Sequence, residues 1–274
     1  MLTLTQGPCR AQLSPQRGAI ITSLQLDGLE ALYLDQDTFD DPAKNVRGGI
    51  PVLFPICGPT AEATYSWKGT EHALKQHGFA RNLEWQVIDL GRSYAVLELE
   101  DSEATHDGFP FAFRYQLEYR VNAEGLRIGG VIQNLGEEPM PLQFGFHPYF
   151  LVGEKAQLQF NLPVSEYQDN KSEAQGAFEG FDFTRDEIDW SFPSPSSTVS
   201  GYTDPERGLK VELESDPVYS NLVFWTLRDS PFVCLEPWSS RRLGFPHADD
   251  VVKIEPGEGI STSFEIKLAR TSPA

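Results

Sequence analysis

The chain has 274 residues, a formal net charge of -18, and 40% hydrophobic and 12% aromatic residues. That content supports a core and excludes a disordered chain, while the acidic balance excludes a nucleic-acid partner and adhesion to an anionic membrane. A chain of this length fits one large all-β domain, so residues 1–274 are expected to form a single domain.

The first eight residues lack the basic region and apolar run of a signal peptide, and no stretch approaches the apolar length that crosses a bilayer. Cys9, Cys57 and Cys234 show no CxxC spacing and leave one thiol over in any disulfide scheme. Reduced thiols in a soluble, cytoplasmic protein are the expectation, with a monomer as its state. A brief helical turn is expected at residues 38–44. Arg47 then precedes Gly48-Gly49-Ile50-Pro51, a bend from which a guanidinium can fork onto hydroxyls or an anion.

Period-two alternation dominates the remainder of the chain. Residues 95–100, 111–121, 209–213 and 261–269 alternate apolar with polar, as half-buried strands do. Residues 222–227 and 232–235 are denser apolar runs, the mark of strands covered on both faces. Turn signals such as Asn134-Leu-Gly136 and Arg228-Asp-Ser-Pro231 separate them, and scattered prolines and glycines break any helical stripe. Many short strands read as an antiparallel β-sandwich or barrel. Residues 166–205 are rich in Ser, Asp and Pro and read as a long surface excursion, or else a loop bordering a cleft.

Three stretches carry polar residues in apolar settings. Lys75-Gln76-His77-Gly78 sets an imidazole beside a glycine that permits close approach or unusual backbone angles; His77 is either a structural hydrogen-bonding residue or part of a site. His147 stands between Phe146 and Pro148-Tyr149-Phe150, where its ring is held and partly dry. Glu236 follows Phe232-Val-Cys-Leu235, which draws its carboxylate inward, where a charge must be paired or used; pairing with Arg241 or Arg242 at a strand end is the plainer reading. Two histidines and a glutamate beside aromatic residues suggest acid/base work on a small polar substrate. No GxSxG elbow, phosphate loop or βαβ alternation is present. The five histidines form no HxH or HExxH pair, so no metal is expected.

Taken together, Arg47-Gly-Gly-Ile-Pro-Val-Leu-Phe-Pro55, Gln76-His-Gly-Phe-Ala-Arg81, Gly145-Phe-His-Pro-Tyr149 and Cys234-Leu-Glu-Pro-Trp238 resemble the aldose 1-epimerase (galactose mutarotase-like) family. They most resemble its branch of hexose-6-phosphate epimerases and their bacterial relatives. The resemblance runs from about residue 18 to the last strand. It implies an all-β fold, a large antiparallel supersandwich with a sugar cleft on its concave face. It implies interconversion of the α and β anomers of an aldohexose or hexose 6-phosphate, without metal or organic cofactor.

The resemblance places Glu236 as general base and His147 as general acid, with Arg47, His77 and Arg81 binding substrate. His77 is expected to steady charge developing on the ring oxygen. The turn Cys57-Gly58-Pro59-Thr60-Ala61 lacks the basic residue typical of the sugar-phosphate branch; Arg47, Lys75, Arg81, Arg241 and Arg242 are the cations from which a phosphate pocket would be assembled. An aspartate that holds sugar hydroxyls is implied within residues 166–205, with Asp182, Asp186 and Asp189 as the choices. A non-catalytic carbohydrate-binding protein on the same scaffold is the alternative. A glycosidase needs a second carboxylate opposite Glu236.

Overall fold

The structure, a computed structural model, describes residues 1–272. Two large antiparallel sheets face each other. The first runs, in spatial order, Gln159–Asn161, Val199–Asp204, Leu209–Ser215, Gly259–Arg270, Gly125–Asn134, Phe113–Val121, Tyr94–Glu100 and Gln86–Leu90. The second runs Gln175–Ala177, Glu166–Asp169, Glu187–Pro193, Asn221–Leu227, Phe232–Trp238, Gly145–Phe146 and Val52–Leu53, with Tyr149–Leu151 also paired to Phe232–Trp238. A four-stranded meander over residues 2–30 leads into them.

The alternation read from the sequence builds the core between the sheets. In Phe113–Val121, Phe113, Tyr115, Leu117, Tyr119 and Val121 are buried while the residues between them are more open. The second sheet meets them with Phe146 and Phe224, and Phe146 stacks on Phe264 of the first sheet with ring centroids 5.4 Å apart. The sandwich expected from the sequence is the observed architecture.

Strand Phe232–Trp238 is buried at every position, as its unbroken apolar run predicts. Val233 and Leu235 point into the core. Phe232, Cys234, Glu236 and Trp238 take the opposite face, where Tyr149, Trp225 and Val223 cover them. This outer face becomes the floor of a cleft.

Two expectations need correction. Residues 166–205 are not a surface excursion, because they contain the strands Glu166–Asp169, Gln175–Ala177, Glu187–Pro193 and Val199–Asp204. Ile188, Trp190 and Phe192 fill the core, while the intervening Glu187, Asp189 and Ser191 face the cleft side. The alternation was present but hidden by the polar composition of that second face. The helical turn sits earlier than residues 38–44, at Gln36–Asp40, where the Asp35 carboxylate caps it by accepting from the Thr38 amide at 3.0 Å. It ends before Pro42, whose ring disfavours helix in the residue ahead of it.

Candidate active site

Glu236 stands in the middle of the sheet and is 1% exposed. Its Oε1 lies 3.4 Å from Nε2 of His147, and its Oε2 accepts from the indole N–H of Trp238 at 3.1 Å. His147 follows the short strand Gly145–Phe146, and its amide donates to the Pro51 carbonyl at 3.1 Å. Its ring lies flat on that of Tyr149, centroids 4.6 Å apart with 9° between planes, and edge-on to His77 at 5.5 Å. Nδ1 of His147 is buried and has no protein partner.

His77 enters from the other wall. Its backbone has φ +67° and the next residue, Gly78, has φ +68°. A Cβ on Gly78 would sit 2.1 Å from the Phe54 carbonyl oxygen, so only glycine lets the loop close against that strand. The His77 Nδ1–H donates to the Cys57 carbonyl and Nε2 accepts from the Gln76 side-chain Nε2 at 3.2 Å, the tautomer that these partners dictate. Nε2 is thus an acceptor. In this form it suits a hydrogen bond from a sugar hydroxyl.

These groups open into a cavity of about 630 Å³, within the size range of small-molecule sites. Arg47, His77, Arg81, His147 and Glu236, all singled out from the sequence, line it together. Arg81 donates through Nη2 to the Gln76 carbonyl at 3.0 Å, while its buried Nε has no protein partner. Arg47 is exposed on the rim, its amide held by the Thr38 hydroxyl at 2.9 Å.

Of the three candidate aspartates, only Asp189 reaches the cleft. Asn170 donates to its Oδ1 at 2.7 Å and Arg242 to its Oδ2 at 3.2 Å. Asp186 instead pairs with Arg228 at 2.6 Å, and Asp182 holds the Thr184 amide and hydroxyl. Arg241 pairs with Asp250, and neither it nor Lys75 lines the cleft. The ion pair between Glu236 and Arg241 or Arg242, the plainer reading of that glutamate, does not form. The aromatic neighbours of His147 already suggest flat faces for a sugar, and Tyr149 lines the cleft; sequence reasoning did not single out Trp225 as a wall, or Asn170 as a partner of Asp189.

Burial sets the charge states. It pushes the Glu236 carboxyl well above the usual range, with Asp189 adding to the effect. It pushes His147 well below the ordinary histidine range, helped by His77 and Arg81. His77 is driven down to about 3, by burial first and then by Arg81. Donor atoms of His147, Cys234 and Glu236 lie within 4.8 Å of one another, the one such trio among the described residues. Burial and the neighbouring Glu236 push the Cys234 thiol up, which favours its protonated form over a metal-binding thiolate. The arrangement has an acid/base pair in contact, a neutral histidine, a cation-braced aspartate and aromatic walls. It can relay a proton across a small polar molecule.

Comparison with known proteins gives a match to the family model described as Aldose 1-epimerase over residues 1–266. The chain is 35% identical to the Slr1438 protein from Synechocystis sp. PCC 6803, whose crystal structure superposes with a TM-score of 0.95 over 98% of this chain and 95% of that one. A galactose mutarotase-like protein from Lactobacillus casei ATCC 334 superposes at 0.84, with 20% identity over 98% of this chain and 100% of the other. An Escherichia coli K12 protein, provisionally named a glucose-6-phosphate 1-epimerase, is 30% identical over 153 residues, 53% of this chain and 46% of that protein.

Proposed function

Because the chain belongs to the aldose 1-epimerase family, we propose that it interconverts the α and β anomers of an aldohexose, free or as its 6-phosphate. Glu236 removes the proton of the anomeric hydroxyl while His147 delivers one to the ring oxygen. The C1–O5 bond breaks, the aldehyde end turns about C1–C2, and closure on the other face returns both protons. Each partner contributes roughly 10²–10⁴ in rate.

The observation that supports this reading most is the buried contact between Glu236 and His147 on the floor of a sugar-sized cleft. Low dielectric disfavours both charges of a carboxylate–imidazolium pair. Ring opening carries one net proton from His147 through the sugar to Glu236, which discharges both groups at once. Burial favours the neutral carboxylic acid and imidazole at rest, so the working pair forms by proton transfer from Glu236 to His147 across their contact once the sugar is bound. Its cost in low dielectric then favours the open-chain state. His77 Nε2 accepts a hydrogen bond from a sugar hydroxyl in place of the Gln76 side chain, Asp189 and Arg81 fix further hydroxyls, and Trp225 and Trp238 supply faces for the ring. Arg47 and Arg81 are the cleft cations available to a phosphate, Arg242 being held by Asp189. A glycosidase reading gains Glu187 and Asp189 as cleft carboxylates, but Lys171 and Arg242 hold them.

Exchange NMR on α-glucose, α-galactose and glucose 6-phosphate tests the proposal. The native protein should accelerate anomer exchange in at least one of them and the Glu236→Gln variant should not. Sugar binding without acceleration would indicate a carbohydrate-binding protein instead.

A further inference from the structure

The sandwich has a margin where Gln159–Asn161, the last strand of the first sheet, meets the segment that follows Gln175–Ala177, the last strand of the second. That segment reads Phe178-Glu179-Gly180-Phe181-Asp182-Phe183, with aromatic residues interleaved with acids. Phe181 stacks on Phe224, centroids 3.8 Å apart, and meets Phe160 and Phe178 edge-on at 4.9 and 5.0 Å. Phe183 lies beside Phe160 and Phe181. Phe224 belongs to the core, whereas its neighbours Val223 and Trp225 line the cleft, so the cluster lies across the sheet from the proposed active site.

Phe160, Phe178, Phe181 and Phe183 are only half-buried. They line a cavity of about 620 Å³, within the size range of small-molecule sites. Glu154, Glu179 and Asp182 stand on its border, and no lysine or arginine among the described residues lines it. The cations nearby serve other partners. Lys155 donates to the Leu227 and Arg228 carbonyls, Arg185 pairs with Asp169 at 3.1 Å, and Arg228 pairs with Asp186 at 2.6 Å. The hollow thus presents aromatic faces beside three carboxylates and nothing positive. The face of an aromatic ring is the negative side of its quadrupole, so rings and carboxylates attract the same kind of charge. Both features repel an anion, and a neutral apolar molecule would leave the carboxylates unused.

We propose that this hollow is a binding site, separate from the cleft, for an alkylated ammonium ion. The alkyl body rests on the phenylalanine faces, and Glu154, Glu179 and Asp182 meet the charge.

The test titrates the native protein by NMR with choline and with its uncharged isostere, in which tert-butyl replaces trimethylammonium. Choline should bind saturably and roughly tenfold tighter than the isostere. Glu179→Gln should weaken choline roughly threefold and leave the isostere unchanged. Phe183→Leu keeps an apolar side chain without the ring and should weaken choline more than the isostere, with a thermal melt to confirm that the variant folds. Glu258→Gln, at an exposed acid on the turn before Gly259–Arg270, should change neither. Equal affinity for the two compounds, or a Phe183→Leu variant that treats both alike, overturns the site. An equal loss of choline binding in Glu179→Gln and Glu258→Gln also overturns it, as diffuse attraction to an acidic surface. None of these readings involves anomer exchange, so the site stands or falls apart from the catalytic proposal.

Discussion

The imidazole of His147 lies flat on the phenol ring of Tyr149, which fixes the plane in which its Nε2 meets Glu236. Tyr149→Ala removes that support and leaves a cavity among Trp225 and Phe232. It should destabilise the protein by about 3–5 kcal/mol and lower kcat more than it raises KM. Tyr149→Phe keeps the stack and should retain native kcat. Thermal melts and exchange rates on the two variants check this; equal loss of kcat in both would assign the role to the hydroxyl.

Glu236→Gln keeps shape and removes the base. Anomer exchange should fall by roughly 10²–10⁴, with an unchanged circular dichroism spectrum. Near neutral pH the melting temperature should hold or rise, because a neutral amide replaces a carboxylate that is costly to charge in place. A clear drop in melting temperature would show that the carboxylate supports the fold.

Acid and alkali act on opposite members of the site. His77 is lowered to about 3 in the folded protein, so an unfolded chain takes up that proton first. The stability it contributes is present above the ordinary histidine range and lost as pH falls toward about 3. Glu236 is raised, so its contribution is present below the ordinary carboxylate range and lost as pH rises through its elevated value. Melting temperature against pH should decline on both sides. His77→Gln should flatten the acid limb, and Glu236→Gln the alkaline one. Limbs unchanged in both variants would refute the assignment.

Gly78→Ala places a methyl against the Phe54 carbonyl in a left-handed backbone. The conformation alone costs about 1–2 kcal/mol, and the clash shifts the loop that carries His77. A lowered melting temperature with a raised KM is expected. Gly28→Ala has an open surrounding and serves as the control for backbone strain without a clash.

Much of the site could be read from the sequence because its residues interrupt strong patterns. Glu236 ends an apolar run, and His147 is set among aromatics. Asp189 could not be chosen, since Ser, Asp and Pro around it masked the Ile188, Trp190 and Phe192 alternation that makes its segment a strand. The ion pair of Arg242 with Asp189 depends on register between strands far apart in the chain. No local spacing encodes it. The His77 tautomer was equally out of reach, because it is fixed by the Cys57 carbonyl on a neighbouring loop.

Strand Phe232–Trp238 packs the core with one face and carries Glu236 on the other. A slip of one residue would turn the carboxylate into the hydrophobic interior and bring Val233 and Leu235 out into the cleft. Misregistered molecules would thus be both unstable and inert, with no well-folded but inactive population between. Specific activity in the proposed reaction should therefore track the fraction correctly assembled.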